Sequence, residues 1–292
     1  MKNILILGGC GYIGSALFGY LGQSNRVDTV DLEYFGNYVN QLNIRGDFGN
    51  LDKSFLNNYD VVILMAANSS VKMCQDLYEA FDNNVNKFVH LVKHLEGKKF
   101  IYASSSSVYI SYNNKAAVET DLLNPADGYT FTKTTRDQFM SLTNVEYYGL
   151  RFGTVNGYSP NLRTDLMVNA MTLSAIKQKQ INLFNGQAHR PLLSINDLCR
   201  AVKTIIDSKN DHRGVYNLAS VNHTISEIGQ KVADYMKVPV VNHGDNYTYN
   251  FTIDSSLFRK TFNFVFNGNI ESMVQSILDH DIDSSWQKRE TL

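Results

Sequence analysis

The sequence predicts an α/β fold with a doubly wound parallel sheet and a smaller C-terminal lobe. Short apolar segments alternate with helical patterns through the first half of the chain, and a glycine-rich turn directly follows the first apolar segment. Alternating strands and helices favour right-handed βαβ units, in which the strands run parallel and helices cover both faces of the sheet.

Five short apolar segments are predicted to be strands, and two of them, Ile4–Leu7 and Val61–Met65, are nearly continuous in hydrophobicity. Such continuity is typical of strands that are covered on both faces. The other predicted strands are Val27–Val30, Phe100–Ala103 and Tyr147–Leu150. Helices are predicted between the strands at Gly14–Leu21, Tyr78–Leu95 and Gly128–Leu142.

The pattern loosens beyond about Gly153, where the smaller lobe is expected to begin. The elements predicted there are a helix at Asp165–Lys179, a strand near Ile181–Phe184, a helix at Asn196–Asp207 and a strand at Gly214–Leu218. We assign residues 1–153 to the main domain and residues 154–292 mainly to a substrate-binding lobe. A later segment, at about 190–220, is expected to return to the main domain.

The composition excludes several classes of protein. With 43% apolar and 12% aromatic residues in 292, the chain can bury a sizeable core. Its 27 basic and 28 acidic side chains give a net charge of −1, so a broad nucleic-acid-binding surface has no electrostatic support. No apolar run approaches the roughly 18 residues of a membrane span, and no targeting segment is recognised. A cytoplasmic protein without membrane contact is therefore expected.

Neither the cysteines nor the histidines have the spacing of metal ligands. Cys10, Cys74 and Cys199 are widely separated, which predicts neither a disulfide framework nor a metal site. His90 and His94 stand four residues apart on a predicted helix without an acidic or thiol partner. A solvated pair is favoured over a zinc site, and no metal is expected.

Gly8, Gly11 and Gly14 lie between the first predicted strand and the first predicted helix. One glycine allows a sharp turn, another lets a pyrophosphate approach the backbone, and the third packs the helix against the strand. The helix N-terminus supplies amide donors and the positive end of its dipole. The spacing predicts a Rossmann-type dinucleotide site, and a tight turn without a ligand is the alternative.

Two carboxylates extend this predicted site. Asp31 ends the second predicted strand, seventeen residues after Gly14. A carboxylate there accepts both hydroxyls of an adenosine ribose and repels a 2′-phosphate, so NAD is favoured over NADP. Asp47, in Gly46-Asp47-Phe48, is placed to meet the adenine, although an ordinary turn aspartate is the alternative.

Tyr129 and Lys133 stand four residues apart, on one face of a predicted helix. An adjacent ammonium and a positively charged nicotinamide both favour the phenolate, so the pKa of Tyr129 is expected to fall below about 10. The phenol can then take or return a hydroxyl proton while hydride moves to or from the cofactor.

The serine run Ser104–Ser107 follows a predicted strand, at the sheet edge where ligands bind in open α/β folds. A hydroxyl at this edge can donate to the substrate oxygen as its charge changes. A solvated serine-rich turn is the alternative interpretation.

In combination these motifs resemble the extended short-chain dehydrogenase/reductase family, and within it the nucleotide-sugar epimerases and dehydratases. The resemblance rests on Gly8–Gly14, Asp31, Gly46-Asp47, Ala66-Ala67, Asn83–Asn86, Ser104–Tyr109, Tyr129–Lys133, Leu150–Phe152 and His189–Leu198. It implies that Ser105 takes the catalytic Ser/Thr position, that Tyr129 is the acid/base and that Lys133 holds the nicotinamide ribose. The other cofactor contacts that it implies are Tyr12, Ile13, Leu32, Phe48, Ala66, Ala67 and Asn84. It also implies a homodimer formed through the two helices Tyr78–Leu95 and Gly128–Leu142.

The resemblance further implies a nucleotide-sugar substrate. Arg190 resembles the arginine that grips the diphosphate, a local contact that a globally neutral protein needs. A second diphosphate arginine has no clear match around Tyr247–Thr252. The candidate substrate-binding residues are Ser69, Ser106, Ser107, Thr154, Asn156, Arg163, Asn169 and Arg190. Ordinary loop and helix polarity is the alternative for the substrate-loop segment Thr154–Pro160, and for Arg163 and Asn169.

Two serines bear on the type of reaction. Dehydratases of this family carry an Asp-Glu pair directly after the catalytic Thr, and the related decarboxylases keep a Glu where Ser107 stands. Here the two positions are Ser106 and Ser107, so the resemblance favours an epimerase that forms a transient keto-sugar with tightly held NAD. A reductase, a dehydrogenase or a dehydratase is the alternative, and a non-catalytic NAD sensor is a further one. The base, the sugar and the reacting carbon stay open.

Overall fold

The computed structural model describes residues 1–39, 42–109, 115–246 and 248–280. Within them, seven strands form a parallel sheet at the centre of the molecule. These strands are β1 (Asn3–Leu7), β2 (Arg26–Asp31), β3 (Asn43–Arg45), β4 (Val61–Leu64), β5 (Lys99–Ala103), β6 (Glu146–Phe152) and β10 (Gly214–Leu218). Their order across the sheet is β10-β6-β5-β4-β1-β2-β3, which confirms the predicted Rossmann-type architecture.

Helices flank this sheet and also build the smaller lobe. The first half of the chain contains α1 (Tyr12–Leu21), α2 (Lys53–Leu56), α3 (Leu77–Phe81), α4 (Lys87–Val92) and α5 (Gly128–Ser141). The second half contains α6 (Met167–Gln178), α7 (Ile195–Asp207), α8 (Ile225–Met236), α9 (Ser256–Phe262) and α10 (Ile270–Leu278). Single 3₁₀ turns lie at Phe48–Asn50, Lys72–Cys74 and Ser106–Val108.

The apolar continuity of β1 is explained by two hydrophobic cores, one on each face of the sheet. Ile4 and Ile6 pack in the core that also contains residues of α1 and α7, whereas Leu5 and Leu7 pack in the core with residues of α4 and α5. Successive side chains of a strand point to opposite faces, and none of these four is exposed. Full burial of such a side chain contributes about 1.5–3 kcal/mol.

The strand order places a crevice beside β1. The chain passes from β3, at one edge of the sheet, to β4 on the other side of β1. In open α/β sheets, such a reversal of strand order leaves room for ligands at the carboxyl ends of the strands. The turn that contains Gly8, Gly11 and Gly14 begins there.

The smaller lobe is built on two short sheets. The strands β7 (Thr154–Asn156), β9 (His189–Ser194) and β11 (Val221–Thr224) form one, and β8 (Ile181–Leu183) pairs with β12 (Val240–Asn242) in the other. Helices α6, α8 and α10 pack around a common core in this lobe. The segment predicted to return to the main domain contains β10, which pairs in parallel with β6. The domain boundary after residue 153 stays a prediction.

The main departure from the predicted elements is the helix expected at Tyr78–Leu95. The structure has α3, a π-helical turn at Asp82–Asn86, and α4, which ends at Val92. The apolar spacing indicated helix, but it carried no signal for the wider turn, in which the Asn84 side chain hydrogen-bonds to the backbone of Asn68. The polar sequence of Asp283–Leu292 predicts a frayed tail, and this segment lies outside the described residues. In the described part of the chain, no helix is long and apolar enough to cross a membrane.

Candidate active site

The turn between β1 and α1 is closely packed at its glycines. Gly8 has a φ of +87°, a conformation that glycine adopts readily, and a β carbon at Gly14 would lie 2.0 Å from the carbonyl oxygen of Gly8. Gly11 is the N-cap of α1, and no side chain caps this end of the helix. The first amides of α1 and the positive end of its dipole are therefore available to a pyrophosphate.

A cavity of about 370 Å³ opens along this turn, within the size range of small-molecule sites. The predicted cofactor residues that line it are Gly8, Gly11, Tyr12, Ile13, Gly14, Asp31, Leu32, Asp47, Phe48, Ala66 and Ala67. Two predicted substrate residues, Ser69 and Arg163, line the same cavity. The cradle left by the missing β carbons fits a dinucleotide, whose pyrophosphate needs close approach to the backbone.

Asp31 lies at the end of β2, with both carboxylate oxygens accepting from backbone amides. Oδ2 accepts from the Cys10 amide at 3.0 Å and Oδ1 from the Glu33 amide at 2.7 Å. Burial raises the pKa of Asp31 above its usual value, although these two hydrogen bonds oppose the rise. Because a carboxylate offers about four lone-pair sites, it still has capacity to accept ribose hydroxyls.

Asp47 forms an ion pair that the sequence reasoning missed. Lys87, at the start of α4, donates from Nζ to Asp47 Oδ2 at 2.6 Å and to Asn83 Oδ1 at 3.2 Å. Asp47 Oδ1 accepts from the Gly49 amide at 2.9 Å. Asp47, Asn83 and Lys87 all line the cavity. Asp47 is thus both a turn residue and part of the cavity wall, and no local pattern pointed to a partner forty positions away.

Asn84, like Tyr129 and Lys133, is a predicted cofactor residue that does not line the cavity. It is fully buried in the π-helical turn. Its Oδ1 accepts from the Asn68 amide at 2.8 Å, and its Nδ2 donates to Thr132 Oγ1 at 3.1 Å. The Asn84 side chain thus joins the π-helical turn to α5, and its cofactor contact stays a prediction.

Ser105, Tyr129 and Lys133 meet at the carboxyl end of β5. Ser105 is a neighbouring group that lowers the pKa of the Tyr129 phenol, and its hydroxyl lies 2.7 Å from the Ser107 hydroxyl. Lys133 Nζ donates to the Ala103 carbonyl at 2.9 Å and lies 5.5 Å from the centroid of the Tyr129 ring. The residues predicted to be catalytic are therefore brought together, although the described cavity wall does not include them.

A capping box fixes the start of the helix that carries Tyr129. The Asp127 side chain accepts from the Thr130 amide at 2.8 Å, and the Thr130 hydroxyl accepts from the Asp127 amide at 3.2 Å. The Tyr249 hydroxyl, from the smaller lobe, donates to Asp127 Oδ2 at 2.6 Å. The first turn of α5 is thereby tied to both lobes.

The expected lowering of the Tyr129 pKa is not what this structure shows. Burial is the largest influence and raises the pKa of Tyr129 above its ordinary value. The hydrogen bond from Ser105 and the positive charges of Arg163 and Arg136 oppose the rise. Burial also holds the pKa of Lys133 well below its usual range. The correction has a simple cause, since the sequence revealed the neighbouring charge but not the depth of burial.

Three of the predicted substrate residues are used within the protein. Asn156 and Asn169 are fully buried, and their side-chain oxygens accept from the backbone amides of Val168 and Gly157, both at 2.9 Å. The Arg190 guanidinium donates to the carbonyls of His189 and Tyr249 and to the Thr248 hydroxyl. These contacts tie Arg190 to its own chain, and its diphosphate contact stays a prediction.

The other substrate candidates are distributed around the site. Ser106 is buried, whereas Ser107 and Thr154 are half-buried. Arg163 makes a two-pronged ion pair with Asp165, with nitrogen–oxygen distances of 3.0 and 2.5 Å, and both residues line the cavity. Asp165 was not predicted as a site residue, although a carboxylate two positions from a candidate arginine was a visible signal.

Comparison with known proteins agrees with this geometry. The sequence pattern of the NAD dependent epimerase/dehydratase family matches residues 4–219. Protein CapI of Staphylococcus aureus is 26% identical, covering 70% of this chain and 69% of CapI. The dTDP-glucose 4,6-dehydratase of Neisseria gonorrhoeae is 22% identical, covering 96% of each chain.

Among solved structures, the UDP-glucuronic acid 4-epimerase of Bacillus cereus, in complex with UDP-glucuronic acid and NAD, has a similar fold. The two superpose with a TM-score of 0.82 at 21% identity, covering 95% of this chain and 98% of that one. The resemblance drawn from the sequence motifs is confirmed by the family match. The chain belongs to the NAD dependent epimerase/dehydratase family, and NAD is its cofactor.

Proposed function

We propose that this protein is a nucleotide-sugar epimerase that acts through a transient keto-sugar. The observation that carries the proposal is the cluster of Ser105, Tyr129 and Lys133 at the carboxyl end of β5, with hydroxyl groups alone at the two positions after Ser105. The Bacillus cereus and Neisseria gonorrhoeae relatives, which act on UDP- and dTDP-linked sugars by their names, support a nucleotide-sugar substrate.

Each residue of this cluster has a defined task in such a reaction. When held by the glycine turn and Asp31, NAD would supply reversible hydride transfer at one sugar carbon, so that a keto-sugar could form and be reduced again on its other face. Tyr129 takes the proton from the sugar hydroxyl and returns it when the carbonyl is reduced. Ser105 donates to the same sugar oxygen, and Lys133 holds the nicotinamide ribose and favours the phenolate of Tyr129.

The serines after Ser105 favour epimerisation over dehydration. Elimination of a sugar hydroxyl needs an acid beside the leaving group and a base at the neighbouring carbon. Ser106 is buried, and the Ser107 hydroxyl lies 2.7 Å from the Ser105 hydroxyl. Neutral hydroxyls at these two positions suit oxidation and re-reduction at one carbon. A reductase that consumes NADH stoichiometrically is the second candidate, because it would use the same three residues.

The sugar and diphosphate contacts are assigned to the candidates with the best access. Ser69 and Arg163 line the cavity, and Ser107 and Thr154 are half-buried. Arg190 would bind a diphosphate only by exchanging its contacts with Thr248 and Tyr249. Asn156 and Asn169 support the loop that precedes α6.

We also propose a homodimer formed through α3, α4 and α5. Leu77 and Tyr78 on α3 and Phe131 on α5 are 48%, 89% and 43% exposed. The rings of Phe81 and Phe131 lie 6.2 Å apart, so α3 and α5 share one apolar surface. A second copy that covers this surface would remove it from water. Sedimentation at several protein concentrations tests the dimer, and a concentration-independent monomer contradicts it.

The proposed activity is tested by incubating the protein with NAD and a panel of nucleotide sugars. Chromatography separates epimers, which share a mass, while nicotinamide absorbance reports net redox change. An epimerase forms a new sugar without net absorbance change, whereas a sustained change supports the reductase. Tyr129→Phe is expected to lower turnover by at least about 100-fold while NAD stays bound. Tyr235→Phe, which alters an exposed tyrosine of α8, is the matched control.

A further inference from the structure

Arg136 is a fully buried arginine on the helix that carries Tyr129 and Lys133. It follows Lys133 by three residues and Tyr129 by seven, so the three side chains share one face of α5. Its Nε donates to the Asn84 carbonyl, and its guanidinium carbon lies 4.9 Å from the centroid of the Phe88 ring. Within the described residues, neither terminal nitrogen of Arg136 has a hydrogen-bond partner.

The carboxylate of Asp137, the next residue, does not neutralise the Arg136 guanidinium through a direct contact. Asp137 accepts from Arg151 Nε at 2.8 Å, from the Ser104 hydroxyl at 2.9 Å and from the Tyr102 hydroxyl at 3.0 Å. A buried cation without a direct ion pair is costly, and well-packed apolar side chains often replace buried charges without loss of stability. Packing and stability alone therefore do not explain an arginine at this position.

A chain of hydrogen bonds connects Arg136 to Tyr129. The backbone carbonyl of Asn84 accepts from Arg136 Nε, and the side-chain Nδ2 of Asn84 donates to Thr132 Oγ1 at 3.1 Å. Thr132 Oγ1 in turn donates to the Tyr129 carbonyl at 2.9 Å. Side chains of a helix lean toward its N-terminus, so the guanidinium extends from its own turn toward the level of Thr132. These hydrogen bonds thus connect the buried guanidinium to the N-terminal turns of α5, where Tyr129 lies.

We propose that Arg136 is a positioning residue for catalysis, whose fixed positive charge beneath α5 stabilises the phenolate form of Tyr129. The proposal rests on the acid/base role given above to Tyr129. A cation in a water-poor interior acts more strongly than one at the surface, because the surroundings screen it less. Arg136 would therefore favour release of the phenolic proton, and the same proton would return at lower pH.

Charged and titratable groups from other elements also face this pair. Ser105 at the end of β5, Cys74 in the 3₁₀ turn Lys72–Cys74 and Arg163 before α6 influence Tyr129. Tyr102 of β5 and Cys74 face Arg136, and Lys133 and Asp137 are its charged neighbours on α5. Arg163 is paired with Asp165, which offsets its charge. Burial lowers the pKa of Arg136 to about 10, so the guanidinium is positively charged at neutral pH.

The titration of Tyr129 can be measured without any sugar substrate. The full-length protein is labelled with ¹³C at the ζ carbon of tyrosine, and the Tyr129 signal is the one that Tyr129→Phe removes. Titration then compares the wild type with Arg136→Met, which is similar in size but uncharged, and with Arg136→Lys. Arg26→Met removes a side chain that is 71% exposed, and it is the control for loss of one positive charge.

Arg136→Met is expected to raise the pKa of Tyr129 by about half a pH unit or more, since loss of a nearby cation disfavours the phenolate. Arg136→Lys should keep most of the wild-type value, and Arg26→Met should not change it. An unchanged Tyr129 titration in Arg136→Met would overturn the proposal. Arg136→Gln is a second uncharged variant, and failure of both uncharged variants to fold would assign Arg136 to the fold and overturn the proposal as well.

The same variants separate this inference from the proposed activity. If no nucleotide sugar is converted by the wild type, the epimerase proposal fails, yet the Tyr129 titration still reports the effect of Arg136. If turnover is found, its dependence on pH should move upward in Arg136→Met by the same shift as the Tyr129 signal. NAD affinity should stay within about two-fold of wild type, because Arg136 does not line the cavity.

Discussion

The ammonium of Lys133 lies 5.5 Å from the centroid of the Tyr129 ring and donates to the Ala103 carbonyl at 2.9 Å. One turn of α5 separates the two residues, and the carboxyl end of β5 holds the lysine in place. The contact between α5 and β5 thus fixes the position of Lys133 relative to Tyr129.

Lys133→Met is expected to lower turnover by at least about 100-fold and to weaken NAD binding, because the variant loses both the cation and a ribose donor. Single-turnover rates and NAD titrations measure the two effects. Lys203→Met, which removes a partly exposed lysine of α7 paired with Asp207, is the control. Wild-type rates in Lys133→Met would contradict the role of Lys133.

Asp31→Asn is expected to lower the preference for NAD over NADP by about ten-fold or more. The variant loses charge-assisted acceptance of the ribose hydroxyls and no longer repels a 2′-phosphate. Dissociation constants for both cofactors test this change. Asp28→Asn, on the same strand but outside the cavity wall, should leave the ratio unchanged. An unaltered ratio in Asp31→Asn would assign cofactor choice elsewhere.

Asp47 is expected to accept a hydrogen bond from the adenine amino group. Nicotinamide hypoxanthine dinucleotide lacks that amino group, so Asp47→Asn should weaken NAD binding more than binding of this analogue. Lys87→Met should have the same selective effect, since Lys87 holds Asp47 at 2.6 Å. We expect about a five- to ten-fold loss for NAD. Equal losses for both dinucleotides would show that Asp47 does not contact the base.

Gly14→Ala is expected to lower the free energy of unfolding by more than about 3 kcal/mol and to abolish NAD binding. The new β carbon would lie 2.0 Å from a backbone oxygen that cannot move without displacing the turn. Gly19→Ala, on the same helix, places its β carbon in open space and should stabilise the protein by about 0.5–1 kcal/mol. Urea unfolding of both variants gives the comparison, and similar stabilities would contradict it.

Stability is expected to fall as the pH rises above 9, partly because of Cys199. Burial raises the pKa of this thiol from 9.0 to about 12. The folded state keeps the proton that the unfolded state releases, so this contribution is complete below pH 9 and is lost as the pH rises toward 12. Cys199→Ala should therefore lose less stability with pH, by about 1.4 kcal/mol for each pH unit in that window. Parallel stability curves for wild type and variant would contradict this linkage.

Local sequence patterns predicted the parts of the fold that depend on short-range geometry. The apolar runs Ile4–Leu7 and Val61–Met65 predicted buried central strands, because continuous apolar residues without polar alternation are typical of strands covered on both faces. The spacing of Tyr129 and Lys133 predicted one helix face, since the period of the helix is fixed. The π-helical turn at Asp82–Asn86 was not predictable in this way, because its hydrogen bonds reach another segment.

The sequence by itself determined the sheet, the glycine turn and the identity of the residues predicted to act on the cofactor. The tertiary structure alone decided which of them line the cavity, that Asn84 and Arg190 hydrogen-bond to their own chain, and that the buried Arg136, on the helix of Tyr129, has no direct ion pair among the described residues. The physical reason is the separation along the sequence over which each kind of interaction acts. Steric rules and helical periods act over a few residues, whereas burial, ion pairing and pKa depend on groups that meet only after the chain has folded.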